Sequence, residues 1–277
     1  MGELSFPARP VHLHKGDAGR LLIVGGSARY PGAPLLAARG ALRAGAGLVT
    51  LATPISALIA GRLPETTLLA LALDHDGMID PARAASQLSA EQSDALLVGP
   101  GLEPSERVAE LVRRLALTEG SPLLLDAGAL RAIADDSERL IGAPARPLVL
   151  TPHIGEFLAL SGAQSADERT VRDFAERAGA IIVCKGSTTL IAHPDGRFER
   201  RGLPNPLLAT GGTGDVLAGV IGALLAGGLA PYEAALLGVS WHSAAGLRLA
   251  LRLGDAGLLA SELADVLPLV RLEARAE

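Results

Sequence analysis

Short runs of apolar residues recur along the chain, and each of them ends in a turn signal. These runs occupy residues 21–24, 96–98, 123–125, 148–150 and 181–184. Runs this short that are apolar at every position predict strands buried on both faces. Between them, residues 108–115 and 171–178 carry apolar side chains at helical spacing. This alternation predicts an α/β fold with a mostly parallel sheet flanked by helices on both faces.

The composition supports a large buried core. Hydrophobic residues make up 49% of the 277 residues and charged residues 20%, which excludes disorder as the main state. No internal repeat, long charge run or linker rich in Ser and Pro interrupts the sequence. We therefore expect residues 1–277 to form one domain.

Charge, cysteine content and hydropathy narrow the class of protein further. The net charge of −5 argues against a nucleic-acid binder. Cys184 is the only cysteine, which excludes an internal disulfide. We expect a cytoplasmic setting, with Cys184 as a core residue rather than a nucleophile. The most apolar stretch, residues 216–230, is shorter than the ~20 residues of a membrane span, so we expect no membrane partner.

The polar and glycine-rich motifs follow the carboxyl ends of the predicted strands or open helices, at the edge where open α/β sheets bind ligands. The sharpest motif is Ala-Thr-Gly-Gly-Thr-Gly-Asp at residues 209–215, directly before an apolar helical pattern. Gly211, Gly212 and Gly214 thus lie at a helix amino terminus, where free backbone N–H groups form an anion site. Asp215 is then a candidate proton acceptor for a hydroxyl that attacks a phosphoryl group, or alternatively a simple N-cap.

Lysine is rare in this chain. Of the 25 basic residues only Lys15 and Lys185 are lysines. Lys185 opens a polar segment, Lys-Gly-Ser-Thr-Thr, which follows the predicted strand 181–184. We expect its ammonium to bind phosphate and the hydroxyls to bind phosphate or ribose; the alternative is a polar hairpin turn.

Two further segments offer candidate ligand contacts. His153 and Glu156 follow the strand at 148–150; the imidazole is a candidate ligand contact and the carboxylate a candidate holder of hydrated Mg²⁺. The alternative for Glu156 is a carboxylate that stabilises the first turn of a helix. Gly32 and Ala33 open a predicted helix and are small enough for a flat ligand to approach the backbone.

Together these motifs resemble the NAD(P)H-hydrate dehydratases, a branch of the ribokinase-like superfamily. They occur in family order from about Lys15 to Arg248 and include VGPGL, LLLDAGAL, LTPHIGEF and NPLLATGGTGDVLAG. Gly128 stands where the family often has a second Asp, and Ile154 replaces the usual Pro. Many relatives carry an N-terminal epimerase domain, and we expect none here because the first motif begins at Lys15.

The resemblance implies a hydro-lyase that repairs hydrated NADH or NADPH. Family members use ADP, or ATP in some branches, to phosphorylate the hydroxyl of the hydrated ring, after which phosphate leaves and the double bond returns. Mg²⁺ is implied by this phosphoryl transfer. By motif, the hydrate contacts would be Ala33, Gly101, His153 and the catalytic Asp215. The adenine-nucleotide contacts would be Lys185, Gly186, Ser187, Thr188, Thr189 and Gly214.

Two other functions are open at this point. A ribokinase-like kinase for a vitamin precursor would share the glycine-rich anion site and Asp215, and a non-catalytic nucleotide sensor would share the same pocket. The sequence distinguishes neither ADP from ATP nor the hydrate of NADH from that of NADPH. We also expect a homo-oligomer, because the helix from Val216 and the apolar C-terminal region can pack against another subunit.

Overall fold

The computed structural model describes residues 5–134 and 144–274. Within these ranges the strands form a nine-stranded sheet in the order β3-β2-β1-β4-β5-β6-β7-β8-β9. The strands are β1 Arg20–Val24, β2 Leu48–Thr53, β3 Thr67–Ala70, β4 Ala95–Val98, β5 Leu123–Leu125, β6 Leu148–Leu150, β7 Ile181–Cys184, β8 Thr189–Ala192 and β9 Phe198–Arg201. Strands β1 to β7 pair in parallel, and β8 and β9 are antiparallel additions at one edge. The prediction of a mostly parallel sheet is confirmed.

Helices connect the strands and cover both faces of the sheet. They are α1 Ala33–Ala44, α2 Ser56–Ile59, α3 Pro81–Ala90, α4 Glu106–Ala116, α5 Gly128–Ala132, α6 Ile154–Ser161, α7 Glu168–Ala178, α8 Thr213–Ala226, α9 Pro231–Leu253 and α10 Ala260–Glu273. The helix that the sequence predicts after Gly32 is α1, with Pro34 in its first turn and the left-handed Gly45 as its C-cap. None of the described helices is long and apolar enough to cross a membrane.

The core divides into two layers because side chains alternate along each strand. On β1, Leu21 and Ile23 belong to the layer that contains α1, α8, α9 and α10, whereas Leu22 and Val24 belong to the layer that contains α3, α4 and α7. The strands are therefore buried on both faces, as the continuous apolar runs predict. Cys184 lies in the second layer and is 2% exposed, which confirms it as a core residue.

Helices α1 and α8 approach each other at backbone contact distance. A side chain at Gly40 would place its Cβ 2.6 Å from the Val216 carbonyl oxygen, and one at Gly219 would overlap the Ala37 carbonyl oxygen. Only glycine permits this approach on both helices. The amino ends of α1 and α8 consequently lie side by side at one edge of the sheet, where Gly212 faces the Leu36 side chain.

Candidate active site

The amino end of α8 is free of side-chain capping. Its N-cap is Gly212, in the left-handed conformation with φ of 94°, and no side chain accepts a hydrogen bond there. The helix begins at Thr213, so Asp215 lies inside the first turn and the N-cap alternative for Asp215 is wrong. The Thr213 N–H donates to the Thr210 carbonyl oxygen over 3.4 Å, so the N–H groups of Gly214 and Asp215 are the ones open to an anion.

A buried ion pair lies beside this helix end. The Lys185 ammonium is 2.7 Å from Asp126 Oδ1, and the two side chains are only 20% and 2% exposed. The Thr151 hydroxyl donates to the same carboxylate oxygen over 2.9 Å. The Lys185 nitrogen also lies 3.5 Å from the point where a Cβ on Gly214 would stand. Carboxyl ends of β5, β6 and β7 therefore deliver three polar side chains to the start of α8.

These charges set the protonation of the site. Burial and the neighbouring Asp126 charge raise the pKa of Asp215 from 3.8 to about 7, against a smaller opposing effect of Lys185. Burial alone would lower the pKa of Lys185, but the charges of Asp126, Glu156 and Asp215 more than offset it and raise that pKa. Lys185 is hence a fixed cation, and Asp215 is a carboxyl that exchanges its proton near neutrality.

A cavity of about 540 Å³ opens next to this group. It is bounded by the β7–β8 connection, residues 202–209, the start of α8 and part of α9. Of the predicted nucleotide contacts, those that line it are Lys185, Gly186, Ser187, Thr189 and Gly214. Thr188 does not line it, although it belongs to the same connection. Since β7 and β8 are antiparallel, this segment is also the hairpin turn of the alternative interpretation.

His242 reaches the cavity from α9. Its Nε2 is 2.9 Å from the Thr213 carbonyl oxygen in the first turn of α8. Burial lowers the pKa of His242 to about 4, although the bond to Thr213 opposes the shift. The ring is therefore neutral at pH 7, and Nε2 carries the proton because a carbonyl oxygen only accepts. His242 thus holds α8 in place from the far wall of the cavity.

His153 and Glu156 form the start of α6. His153 is the N-cap: its Nδ1 accepts from the Glu156 N–H, and Glu156 Oε2 accepts in return from the His153 N–H. The interpretation of Glu156 as a first-turn carboxylate is confirmed. The Lys185 N–H donates to the Pro152 carbonyl over 2.8 Å, which sets His153 beside Lys185. The His153 side chain is 59% exposed and accessible to a ligand.

Ala33 and Gly101 meet where the strand order reverses between β1 and β4. Gly101 has φ of 73°, and a Cβ there would lie 2.6 Å from the Tyr30 carbonyl oxygen and 3.0 Å from Ala33 Cβ. A topological reversal of this kind leaves a crevice at the carboxyl edge of the sheet. The predicted hydrate contacts at the start of α1 thus stand next to the predicted anion site at the start of α8.

The connection after β5 is strained. Ala127 is the only described non-glycine residue with positive φ, at 46°. A side chain at Gly128 would overlap the Leu102 carbonyl oxygen, so no Asp fits there without a shift of the backbone. Strain of this kind persists where surrounding contacts determine the conformation, and here it flanks the buried Asp126.

Three participating residues were not among the predicted contacts. The sequence pattern indicates the positions of Asp126 and Thr151, because both follow apolar strands at the ligand-binding edge. No sequence pattern indicates His242, since it lies in the middle of α9 with no motif beside it. The predicted Gly211 and Gly212 form the turn into α8 rather than the cavity wall.

Comparison with known proteins identifies the family to which the chain belongs. The family model for NAD(P)H-hydrate dehydratase matches residues 21–269. The chain belongs to this family. It is 41% identical over 273 residues to the ADP-dependent (S)-NAD(P)H-hydrate dehydratase of Xanthomonas campestris, covering 94% of this chain and 92% of that protein.

Two more relatives extend the comparison. The bifunctional NAD(P)H-hydrate repair enzyme of Salinibacter ruber is 40% identical over 275 residues, 97% of this chain but 51% of that protein, so the chain spans about half its length. A crystal structure of the ADP/ATP-dependent NAD(P)H-hydrate dehydratase of Bacillus subtilis, co-crystallised with ATP and Mg²⁺, matches with a TM-score of 0.83 at 33% identity. That match covers 97% of this chain and 94% of the other. The resemblance inferred from the motifs is confirmed.

The site carries carboxylates, the ligand type that Mg²⁺ prefers. The charges of Asp126, Glu156 and Asp215 all raise the pKa of one ammonium, that of Lys185. Asp126 Oδ1 is already bonded to Lys185 and Thr151. Glu156 is already engaged with the His153 N–H and lies 3.8 Å from Arg131 Nε, so its contact with an ion would pass through water.

Proposed function

We propose that this protein is an ADP- or ATP-dependent (S)-NAD(P)H-hydrate dehydratase, a hydro-lyase that restores NADH or NADPH from their hydrates. The observation that carries the proposal is the Asp215 carboxyl, whose pKa is raised to about 7, at the start of α8 beside the Lys185 ammonium. A base poised near neutrality next to an anion site is what phosphorylation of a hydroxyl requires. Family membership and the activities of the relatives support the same substrates.

In this proposal the nucleotide lies in the cavity beside α8. Its terminal phosphates meet the N–H groups of Gly212 and Gly214 and the Lys185 ammonium. Gly186, Ser187 and Thr189 contact the rest of the nucleotide. The fixed positive charge at the start of α8 favours phosphate over a neutral ligand.

The hydrate lies across the crevice at Ala33 and Gly101, with its ring hydroxyl directed to Asp215. Asp215 accepts the hydroxyl proton as the oxygen forms a bond to the terminal phosphorus, and the bridging P–O bond of the nucleotide breaks. ADP then leaves as AMP, or ATP as ADP. Loss of phosphate from the ring carbon, with loss of a proton from the adjacent carbon, restores the double bond. In this proposal His153, which pairs with Lys185 through the backbone, bonds the hydrate.

Mg²⁺ would be held by the phosphates and, through water, by Glu156. When bound it neutralises the charge of the transferred phosphoryl group.

One assay tests the function directly. Hydrated NADH is incubated with Mg²⁺ and either ADP or ATP, and recovery of the absorbance band of reduced nicotinamide is followed. We expect recovery only with nucleotide, with one phosphate released per NADH formed. A phosphorylated hydrate that accumulates without recovery would instead indicate a kinase, and nucleotide left intact with every hydrate would indicate a sensor.

The same assay with hydrated NADPH, run beside it, determines which hydrate is preferred. Asp215→Asn serves as the matched control, because it retains the shape of the side chain but cannot accept the proton. Recovery at the wild-type rate in that variant would contradict the role given to Asp215.

A further inference from the structure

The Thr151 hydroxyl is directed at a charge rather than at a neutral group. Thr151 directly follows β6, is fully buried, and has its Oγ1 2.9 Å from Asp126 Oδ1 and 3.2 Å from the Leu125 carbonyl oxygen. A hydroxyl has one proton to donate. The carboxylate is both the nearer and the charged acceptor, so it takes the hydrogen bond.

Asp126 in turn fixes Lys185. The oxygen that accepts from Thr151 also accepts from the Lys185 ammonium over 2.7 Å. With Asp126 only 2% exposed, solvent is not available to hold the carboxylate in this orientation. The orientation of the carboxylate therefore depends on its two donors, Lys185 and Thr151. Of these, Lys185 is also proposed to bind the nucleotide, whereas Thr151 only bonds Asp126.

We propose that Thr151 is a positioning residue of this site: its hydroxyl holds Asp126 Oδ1 where it keeps the Lys185 ammonium at the amino end of α8. The inference rests on the proposed function, because the ammonium is placed there for the nucleotide phosphate. Thr151 touches no reacting atom and acts only through Asp126 and Lys185.

Two substitutions separate the hydroxyl from the packing of the side chain. Thr151→Val keeps the shape and the β-branch and removes the hydroxyl, whereas Thr151→Ser keeps the hydroxyl and removes the methyl. We expect T151V to lower kcat about 10-fold or more, the size typical when an orienting partner of a functional group is removed. T151S should retain most of the activity.

The scarcity of lysine supplies a readout that is independent of activity. With ¹³C at the ε carbon of lysine, the NMR spectrum holds two lines, from Lys15 and Lys185, and Lys15→Arg assigns them. In T151V the Lys185 line should move toward that of the exposed Lys15 and broaden, while the Lys15 line stays fixed. In T151S both lines should match the wild type.

Asp126→Asn breaks the same contact from its other end, and it should displace the Lys185 line as well. If T151V does not fold, D126N still tests whether Asp126 holds the Lys185 ammonium. An unchanged Lys185 line in D126N would show that this carboxylate does not hold it, and would overturn the inference. In folded T151V, wild-type kcat together with an unmoved Lys185 line would overturn the inference. So would equal impairment of T151S and T151V, because the methyl group would then be what matters. Absence of dehydratase activity in the wild type would overturn the proposed function alone, since the Lys185 line still tests Thr151.

Discussion

Asp215 combines a buried position with a negative neighbour, and this combination determines how the site responds to pH. Burial and the Asp126 charge raise its pKa to about 7. Only the ionised form accepts a proton, so kcat/KM should rise as pH increases through about 7. Initial rates with saturating nucleotide across pH 5 to 9 check this. A flat profile over that range would show that Asp215 is not the base.

Asp215→Asn removes the base and also removes a buried charge. We expect kcat to fall by ~10²–10⁴-fold, with a much smaller change in the affinity for nucleotide. Single-turnover rates and calorimetric titration with ADP separate the two effects. Near-normal turnover would place the base elsewhere.

The same substitution should stabilise the protein above neutrality. The pKa of Asp215 is higher in the folded chain than in the unfolded one, so its contribution is favourable at low pH and is lost as pH rises from about 4 to about 7. Asn carries no charge, so D215N does not lose this contribution to the free energy of unfolding. The loss in the wild type amounts to about 4 kcal/mol at most. Melting curves should show D215N above the wild type at pH 8 and equal to it near pH 4.

Lys185 contributes to the stability of the fold, because its ammonium pairs with the buried Asp126. Its removal leaves a buried carboxylate without its ion-pair partner, and we expect a loss of about 3 kcal/mol in the free energy of unfolding. Urea unfolding measures it. Combining Lys185→Met with Asp126→Asn should recover most of that loss, whereas additive losses would contradict the pairing.

The residues of this site differ in how far the sequence reveals them. Asp215 and the glycines before it belong to one local motif, and Lys185 follows a strand that is evident from its apolar run. The pairing of Lys185 with Asp126 joins positions 59 residues apart, and the contact of His242 with Thr213 joins α9 to α8. Local patterns establish that strand ends share an edge, but they do not determine which side chains at that edge touch.

At the scale of elements, the site depends on how closely α1 and α8 pack. Both glycines of the contact face backbone atoms of the other helix, which cannot be moved aside as a flexible side chain can. The sequence predicts both helices and a mostly parallel sheet. It does not show that the backbones of α1 and α8 touch, because a glycine inside a helix is also compatible with a looser contact between helices.

Gly219→Ala tests this contact against a neighbour on the same helix. Its added methyl would overlap the Ala37 carbonyl, and we expect a loss of about 1–3 kcal/mol in stability together with a lower kcat/KM. Gly222→Ala meets only the Leu21 side chain, at 3.0 Å, and gains helix propensity, so its stability should stay within about 1 kcal/mol of the wild type. Chemical unfolding of both variants provides the comparison; equal losses would mean that the backbone contact is not special.

At the scale of the whole molecule, the single thiol reports on global opening. Burial raises the pKa of the Cys184 thiol to about 12, with a partial opposing effect of Lys185, so it is protonated at ordinary pH. We expect a thiol reagent to label the native protein only as fast as it unfolds, and to label the denatured protein at once. ADP should slow the labelling, because a ligand bound to the folded state reduces the unfolded population. Rapid labelling under native conditions would show that the second core layer opens locally.

The close packing of α1 against α8 also determines when the candidate site is assembled during synthesis and folding of the chain. α1 emerges early from the ribosome and α8 late, since most of the described chain lies between Ala33 and Thr213. Contacts between such distant segments form late in folding. A nascent chain that has released α1 alone has one part of the candidate site, Ala33, without the other, the start of α8. The proposed nucleotide site is therefore complete only after α8 has packed against α1.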